Sequence, residues 1–252
     1  MTSASTILSA PVSKPAVGAL PFDHAAGVSQ MLRTLAQALE PQRRVVHCGD
    51  LVYRAGERFS SLYILNSGFM KVVKAAVDGR EQLVSLNFRG DWMGFDGIAR
   101  GAYDCDGVAM DTGEVWGVRY DALMAACVIN PALMTGLHEA MSREISRERE
   151  SLMSICTLPA DARVADFLRG WAESAGQRGL RTDEITIRLS RAEIGNYLGL
   201  TLESVSRAFS KLVKTEVIGF TGAGRRDVRI PDLQALANFV QRALSPQTAC
   251  AA

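Results

Sequence analysis

Residues 189–214 read LSRAEIGNYLGLTLESVSRAFSKLVK, and no other stretch constrains the fold as strongly. It encodes two short helices with a tight turn between them. Ser190 is placed to cap the first helix, and Glu193, three residues on, can reach back to the Ser190 backbone N–H, the reciprocal capping box. Ile194 and Leu198 then share one face. Gly199 stands where a left-handed residue ends a helix, and the Thr201 hydroxyl offers an N-cap for the next one, leaving residues 199–201 as the turn.

From Leu202 the apolar residues Leu202, Val205, Phe209 and Leu212 recur at helical spacing, which predicts a buried stripe. Opposite them lie Glu203, Ser206, Arg207, Ser210 and Lys214. These side chains can read base edges: arginine forks onto guanine O6 and N7, glutamate accepts from cytosine N4, and serine adapts to either. Glu203, Ser206 and Arg207 are therefore the candidate base contacts. Ser190, Thr201, Ser210, Lys211 and Lys214 are the candidate backbone contacts. Glu and Arg four apart also stabilise an ordinary exposed helix, so the sequel matters. Val217-Ile218-Gly219-Phe220 and Val228-Arg229-Ile230 predict two strands joined through Thr221-Gly222-Ala223-Gly224. A hairpin after such a helix makes a wing, with Arg225, Arg226 and Arg229 facing phosphates.

The rest of the chain predicts two further units. From Val45 to Val118 short apolar runs are punctuated by glycine: Leu51-Val52-Tyr53, Leu62 to Leu65, Met70 to Val73, Leu83 to Leu86 and Val115 to Val118. Strands at such spacing predict a β-sandwich or a jelly roll, with turns at Gly56, Gly68, Gly79 and Gly90. Asn130-Pro131, a cap followed by a first-turn proline, opens a helix of 25 or more residues. Along it Met134, Leu137, Met141, Ile145, Leu152 and Ile155 form an apolar seam, read here as a dimer interface against a second copy of the helix. The expected order is α+β: a leader over 1–22, a roll over 23–129, a dimerisation helix over 130–158, a winged helix-turn-helix over 159–244 and a tail over 245–252. Ala, Ser and Pro dominate the leader and predict disorder there.

A net charge of +1 over 252 residues excludes a histone-like binder, although residues 160–230 carry 12 Arg plus Lys against 9 Asp plus Glu. With no secretory signal and no run of about 18 apolar residues, the expectation is a cytoplasmic protein with no membrane partner. Five scattered cysteines, never in a C-x-x-C pair, read as reduced thiols. Only three histidines exist, none closely paired, and neither a nucleophile elbow nor a phosphate loop is present, so no enzyme is expected.

Arg54-Ala55-Gly56-Glu57, Leu62-Tyr63-Ile64-Leu65, Ser67-Gly68, Gly90-Asp91, Gly94-Phe95-Asp96 and the run IGNYLGLT resemble the catabolite activator and fumarate-nitrate reductase regulator family, CRP/FNR, over roughly residues 40 to 235. The resemblance implies a homodimeric transcription regulator acting on double-stranded DNA. Glu203, Ser206 and Arg207 match the Glu-x-x-Ser-Arg of the FNR branch, which implies a TTGAT half-site in an inverted repeat. It also implies that an exposed roll loop, with Asp78-Gly79-Arg80 as the candidate, touches RNA polymerase.

The sensor departs from the family. No cysteine precedes Cys48, and Trp116 stands where the FNR branch has its roll cysteine, which argues against an iron-sulfur cluster. Cyclic AMP is argued against by Gly94-Phe95-Asp96-Gly97 and Tyr103-Asp104 at the ribose and phosphate positions, since a carboxylate repels a phosphate. The cofactor stays unknown. His47, Cys48 or His138 could ligate haem, and Cys48 or Cys105 could act as a thiol switch, although Asp104 and Asp106 flank Cys105 with negative charge. The competing class is an interaction module that has kept the fold without binding DNA; loss of the basic face would mark it, and Arg207, Lys211 and Lys214 are present.

Overall fold

A computed structural model describes residues 24–222, 224 and 226–244, with side chains from residue 27 onward. The expected leader, the tail and Arg225 lie outside the described residues. The chain opens with α1 (His24–Ala38), then β1 (Gln42–Val46), β2 (Leu51–Tyr53), β3 (Ser61–Ser67), β4 (Met70–Ala75), β5 (Glu81–Asn87) and β6 (Trp92–Met93). A short α2 (Asp96–Arg100), β7 (Asp106–Ala109), β8 (Gly113–Arg119) and α3 (Tyr120–Ile129) complete this part. Two antiparallel four-stranded sheets result, ordered β1-β8-β3-β6 and β2-β7-β4-β5. Alternating residues such as Leu62, Ile64, Val115 and Met70 face inward, the period-2 pattern that makes a roll.

The roll region holds more than the expected strands. Helix α1 buries Val28, Leu32 and Leu35, which recur at helical spacing, so it is a structural part of the domain. Strands β1 and β7 were illegible because neither is apolar: β1 reads QRRVV with four of its five residues exposed, and β7 reads DGVA.

Helix α4 (Pro131–Thr157) starts with the Asn130 side chain accepting from the Ala132 N–H and Pro131 in the first turn. Its first half buries Leu133, Gly136, Leu137 and Ala140 among α1, α3 and the β1 sheet. One seam residue needs correction: Leu137 is 4% exposed, buried within its own chain, while Met134 beside it is half-buried. Apolar spacing shows that a face is covered and cannot show by what. Farther along, Met141 and Ile155 are half-buried, while Ile145 and Leu152 stay open at 44% and 62%.

After Leu158 and Pro159 come α5 (Ala160–Gly176), β9 (Glu184–Thr186), α6 (Arg191–Leu198), α7 (Leu202–Lys214), β10 (Gly219–Phe220), β11 (Asp227–Arg229) and α8 (Leu233–Leu244). The wing is a three-stranded sheet ordered β10-β11-β9, one strand more than expected. The core of this domain, with Leu168, Trp171, Ile194, Val205, Phe209, Leu212 and Val228, runs on into Leu83, Leu86, Phe88 and Met110 of the roll. Roll and winged domain thus share buried surface. No helix among the described residues is long and apolar enough to cross a membrane.

Candidate nucleic-acid interface

The turn between α6 and α7 is built by local rules. The Glu193 N–H donates to Ser190 Oγ at 3.2 Å while the Ser190 N–H donates to Glu193 Oε2 at 2.9 Å. Gly199 closes α6 in the left-handed region, φ 65° and ψ 40°, where a side chain would be strained. Thr201 Oγ1 then accepts from the Ser204 N–H at 3.2 Å. Both helices are therefore anchored at their starts by side chains that also lie at a helix N-terminus, where phosphate oxygens bind.

Val205, Ala208, Phe209 and Leu212 bury the inner face of α7. Leu202 departs from the expected stripe: it is 49% exposed, on the first turn, ahead of the section that the core covers. Glu203, Ser206, Arg207, Ser210 and Lys214 all project outward and are exposed, forming one continuous polar face. Arg226 and Arg229 are exposed on the wing. A groove between wing and α7 is lined in part by Ser190, Ser206, Ser210 and Arg226, bringing together four residues singled out in the sequence.

Lys211 sits differently. Its ammonium is paired with Asp161 of α5 and lies 5.7 Å from the Phe239 ring, on the flank of α7 toward α8. Arg191, not singled out in the sequence, lines the same groove, with its guanidinium 3.2 Å from the Phe209 ring centroid.

Residues 162–239 match the Crp-like helix-turn-helix domain model, and residues 43–130 match the cyclic nucleotide-binding domain model. The chain is 30% identical over 191 residues to the "Fumarate and nitrate reduction regulatory protein" of Vibrio cholerae, covering 76% of each chain. The chain belongs to the CRP/FNR family. It is a DNA-binding transcription regulator. It is also 30% identical over 184 residues to "Transcriptional activator protein Anr" of Pseudomonas protegens, covering 73% of this chain and 74% of that one. Among solved structures it resembles FixK2 from Bradyrhizobium japonicum with a TM-score of 0.70 and 26% identity, over 79% of this chain and 96% of that one.

The CRP/FNR roll is matched by a cyclic nucleotide-binding model, yet the residues here do not fit that ligand. Asp104, near where the resemblance places the cyclic phosphate, is already paired with Lys74 at 2.5 Å and Arg100 at 3.0 Å. Its backbone N–H is taken by Asp96 Oδ2 at 2.8 Å. Between the sheets the Tyr53 ring stacks on Tyr63 with centroids 5.2 Å apart and lies 4.7 Å from Tyr103, filling the space with aromatic side chains. The other sensor candidates are scattered. His47 is exposed with Nδ1 3.6 Å from Asp50, His138 is exposed on α4, and Trp116 donates to Glu114 at 2.6 Å. Cys105 is buried, and that burial, with Asp96 adding to it, pushes its thiol up to about 12. Cys48 and Cys156 are exposed.

Proposed function

We propose that the protein binds as a homodimer to an inverted repeat of TTGAT-type half-sites, with Glu203, Ser206 and Arg207 of α7 reading bases. Arg207 takes the guanine and Glu203 the opposing cytosine or a neighbouring adenine. Ser190, Thr201, Ser210, Lys214, Arg226 and Arg225 hold the phosphates on either side, and Lys211 contributes once Asp161 releases it. The single observation that carries this reading is the outer face of α7, where every reading residue is exposed while the opposite face is buried.

The dimer surface is narrower than the seam in the sequence: Met141, Ile145, Leu152 and Ile155 on the second half of α4, with exposed Met153 added. RNA polymerase contacts the turn between β4 and β5, where Val77 is fully exposed and Arg80 pairs with Asp78 at 2.7 Å. A cytoplasmic location goes with this reading, since the DNA is there.

Binding titrations over half-site variants test the base assignment. Each good base pair contact is worth roughly 1 to 3 kcal/mol of discrimination. Arg207→Ala should abolish preference at the guanine while leaving preferences elsewhere in the half-site intact. Unchanged preference at the guanine would overturn the assignment.

A further inference from the structure

The DNA-reading domain is tied to the roll by shared core, by the ion pairs Lys71–Glu193 at 2.6 Å and Arg188–Asp111 at 2.9 Å, and by two contacts that are also directional hydrogen-bond sets. The first is at a sheet edge. Strand β5 is the outermost strand of its sheet, so one side of its backbone has no strand to pair with. Asn196 of α6 fills that place: its Oδ1 accepts from the Leu83 N–H at 2.6 Å and its Nδ2 donates to the Glu81 carbonyl at 2.7 Å. Its amide thereby mimics the pairing of one residue of a neighbouring strand. Gln82 Nε2 returns a bond to the Asn196 carbonyl at 2.6 Å.

The second contact is a buried charge node. Arg178, just past α5 and 5% exposed, donates to Asp91 Oδ1 at 3.0 Å and to the Arg89 carbonyl at 2.8 Å. The other Asp91 oxygen accepts from Arg147 of α4 at 2.8 Å and from the Phe88 N–H at 2.9 Å. One roll carboxylate therefore holds the long helix and the reader together. Such buried charged hydrogen bonds select an orientation more than they add stability.

These contacts use α5, α6 and the segments beside them, and none of them uses α7. Docking therefore leaves the reading face open while fixing where it points. The covalent link is only Leu158 and Pro159 between α4 and α5, and the shared core is apolar and non-directional, so the directional contacts are what select one orientation of the reader on the roll.

We propose that Asn196 and Arg178 are positioning residues for DNA recognition: they clamp the reader to the roll and so fix the separation of the two recognition helices, setting the half-site spacing the dimer accepts. This rests on the dimer and inverted-repeat reading above. A rigidly held second reader binds at high effective concentration at one spacing only, whereas a swivelling one spreads that concentration over several.

The test compares the full chain with Asn196→Ala, Arg178→Gln and the double variant on a single TTGAT half-site and on inverted repeats whose spacer changes in single base-pair steps. The intact protein should prefer one spacer by about tenfold over spacers two base pairs away, and the double variant by no more than about twofold, with single half-site affinity unchanged within about twofold. Asn196→Ala leaves the core intact and raises helix propensity, so it guards against misfolding of Arg178→Gln. Without DNA, proteolytic nicking near residues 158–163 should rise by about tenfold in the double variant. Retained spacing preference, or half-site affinity falling in step with it, overturns the clamp. An intact protein with no preference for inverted repeats overturns the dimer reading instead, and nicking that does not change in the variants then overturns the clamp independently.

Discussion

Trp171 of α5 is the residue whose removal should most clearly separate the two domains. Its ring is 5% exposed and lies 5.8 Å from Phe69 and 5.1 Å from Phe88, both in the roll, and 5.7 Å from Phe167 of its own helix. A tryptophan side chain buries about 200 Å², worth about 5 kcal/mol at about 25 cal/mol per Å². Large-to-small core substitutions of this kind cost about 3–5 kcal/mol, so Trp171→Ala should destabilise by about 4 kcal/mol. For a chain of this size that lowers the midpoint by about 8–16 °C. Two of the three ring contacts cross from reader to roll, so the loss should fall on the junction as well. Thermal unfolding followed by circular dichroism should show the helical signal of the reader melting ahead of the β-rich roll in the variant, and the two together in the intact protein. A loss below about 1 kcal/mol, or a reader and roll that still melt together, would refute the shared-core argument.

Other perturbations follow from the same geometry. Ser190→Ala removes the α6 cap and should cost about 1 kcal/mol in urea unfolding. Burial raises the Glu193 carboxyl, but bonds from Lys71 and from the Ser190 N–H and hydroxyl outweigh it and hold its pKa below the ordinary value. Its contribution is therefore present above the ordinary glutamate value of about 4.3 and is lost as the pH falls below it. Glu193→Gln should flatten that acid limb in unfolding curves. At pH 7 a thiol at about 12 is ionised to only about one part in 10⁵, so iodoacetamide followed by mass spectrometry should label exposed Cys48 and Cys156 well before Cys105. Lys214→Ala should lower the salt slope of DNA binding by about 0.9, the value of one phosphate contact. Lys211→Ala should lower it less, because Asp161 already occupies that ammonium.

What was legible in the sequence was what local rules decide. Ser190, Glu193, Gly199 and Thr201 each act within three residues, and the structure uses all four in the roles their spacing assigns. The inner stripe of α7 was legible for the same reason, except at Leu202, where the helix outruns its core. Contacts across the chain were not legible. Strand β1 is a strand only because β8, some 70 residues later, pairs with it. Leu137 has the spacing of a dimer seam and is claimed by its own roll. Lys211 has the charge of a phosphate contact and meets Asp161, fifty residues earlier. Periodicity marks a buried face, and charge marks a polar one; neither names the partner.

The same limit explains why the reader was legible and the sensor was not. The reader is a set of side chains on one helix, whereas the turn at residues 88–91 of the roll gathers distant elements. On one side of it Gly90 meets Val28 of α1 so closely that an added Cβ would lie 2.5 Å from that side chain. On the other side Asp91 and the Arg89 carbonyl hold Arg178 of the reader. Close-packed interiors pass displacement on instead of absorbing it. A shift of α1 toward this turn has no free volume to enter at Gly90 and must move Asp91, and with it both Arg147 and Arg178. Gly90→Ala should therefore disturb the seating of the reader although it lies outside the DNA-reading domain. Loss of that seating, read as a change in proteolytic nicking between α4 and α5, would show the turn joining α1 to the reader; unchanged nicking would refute it.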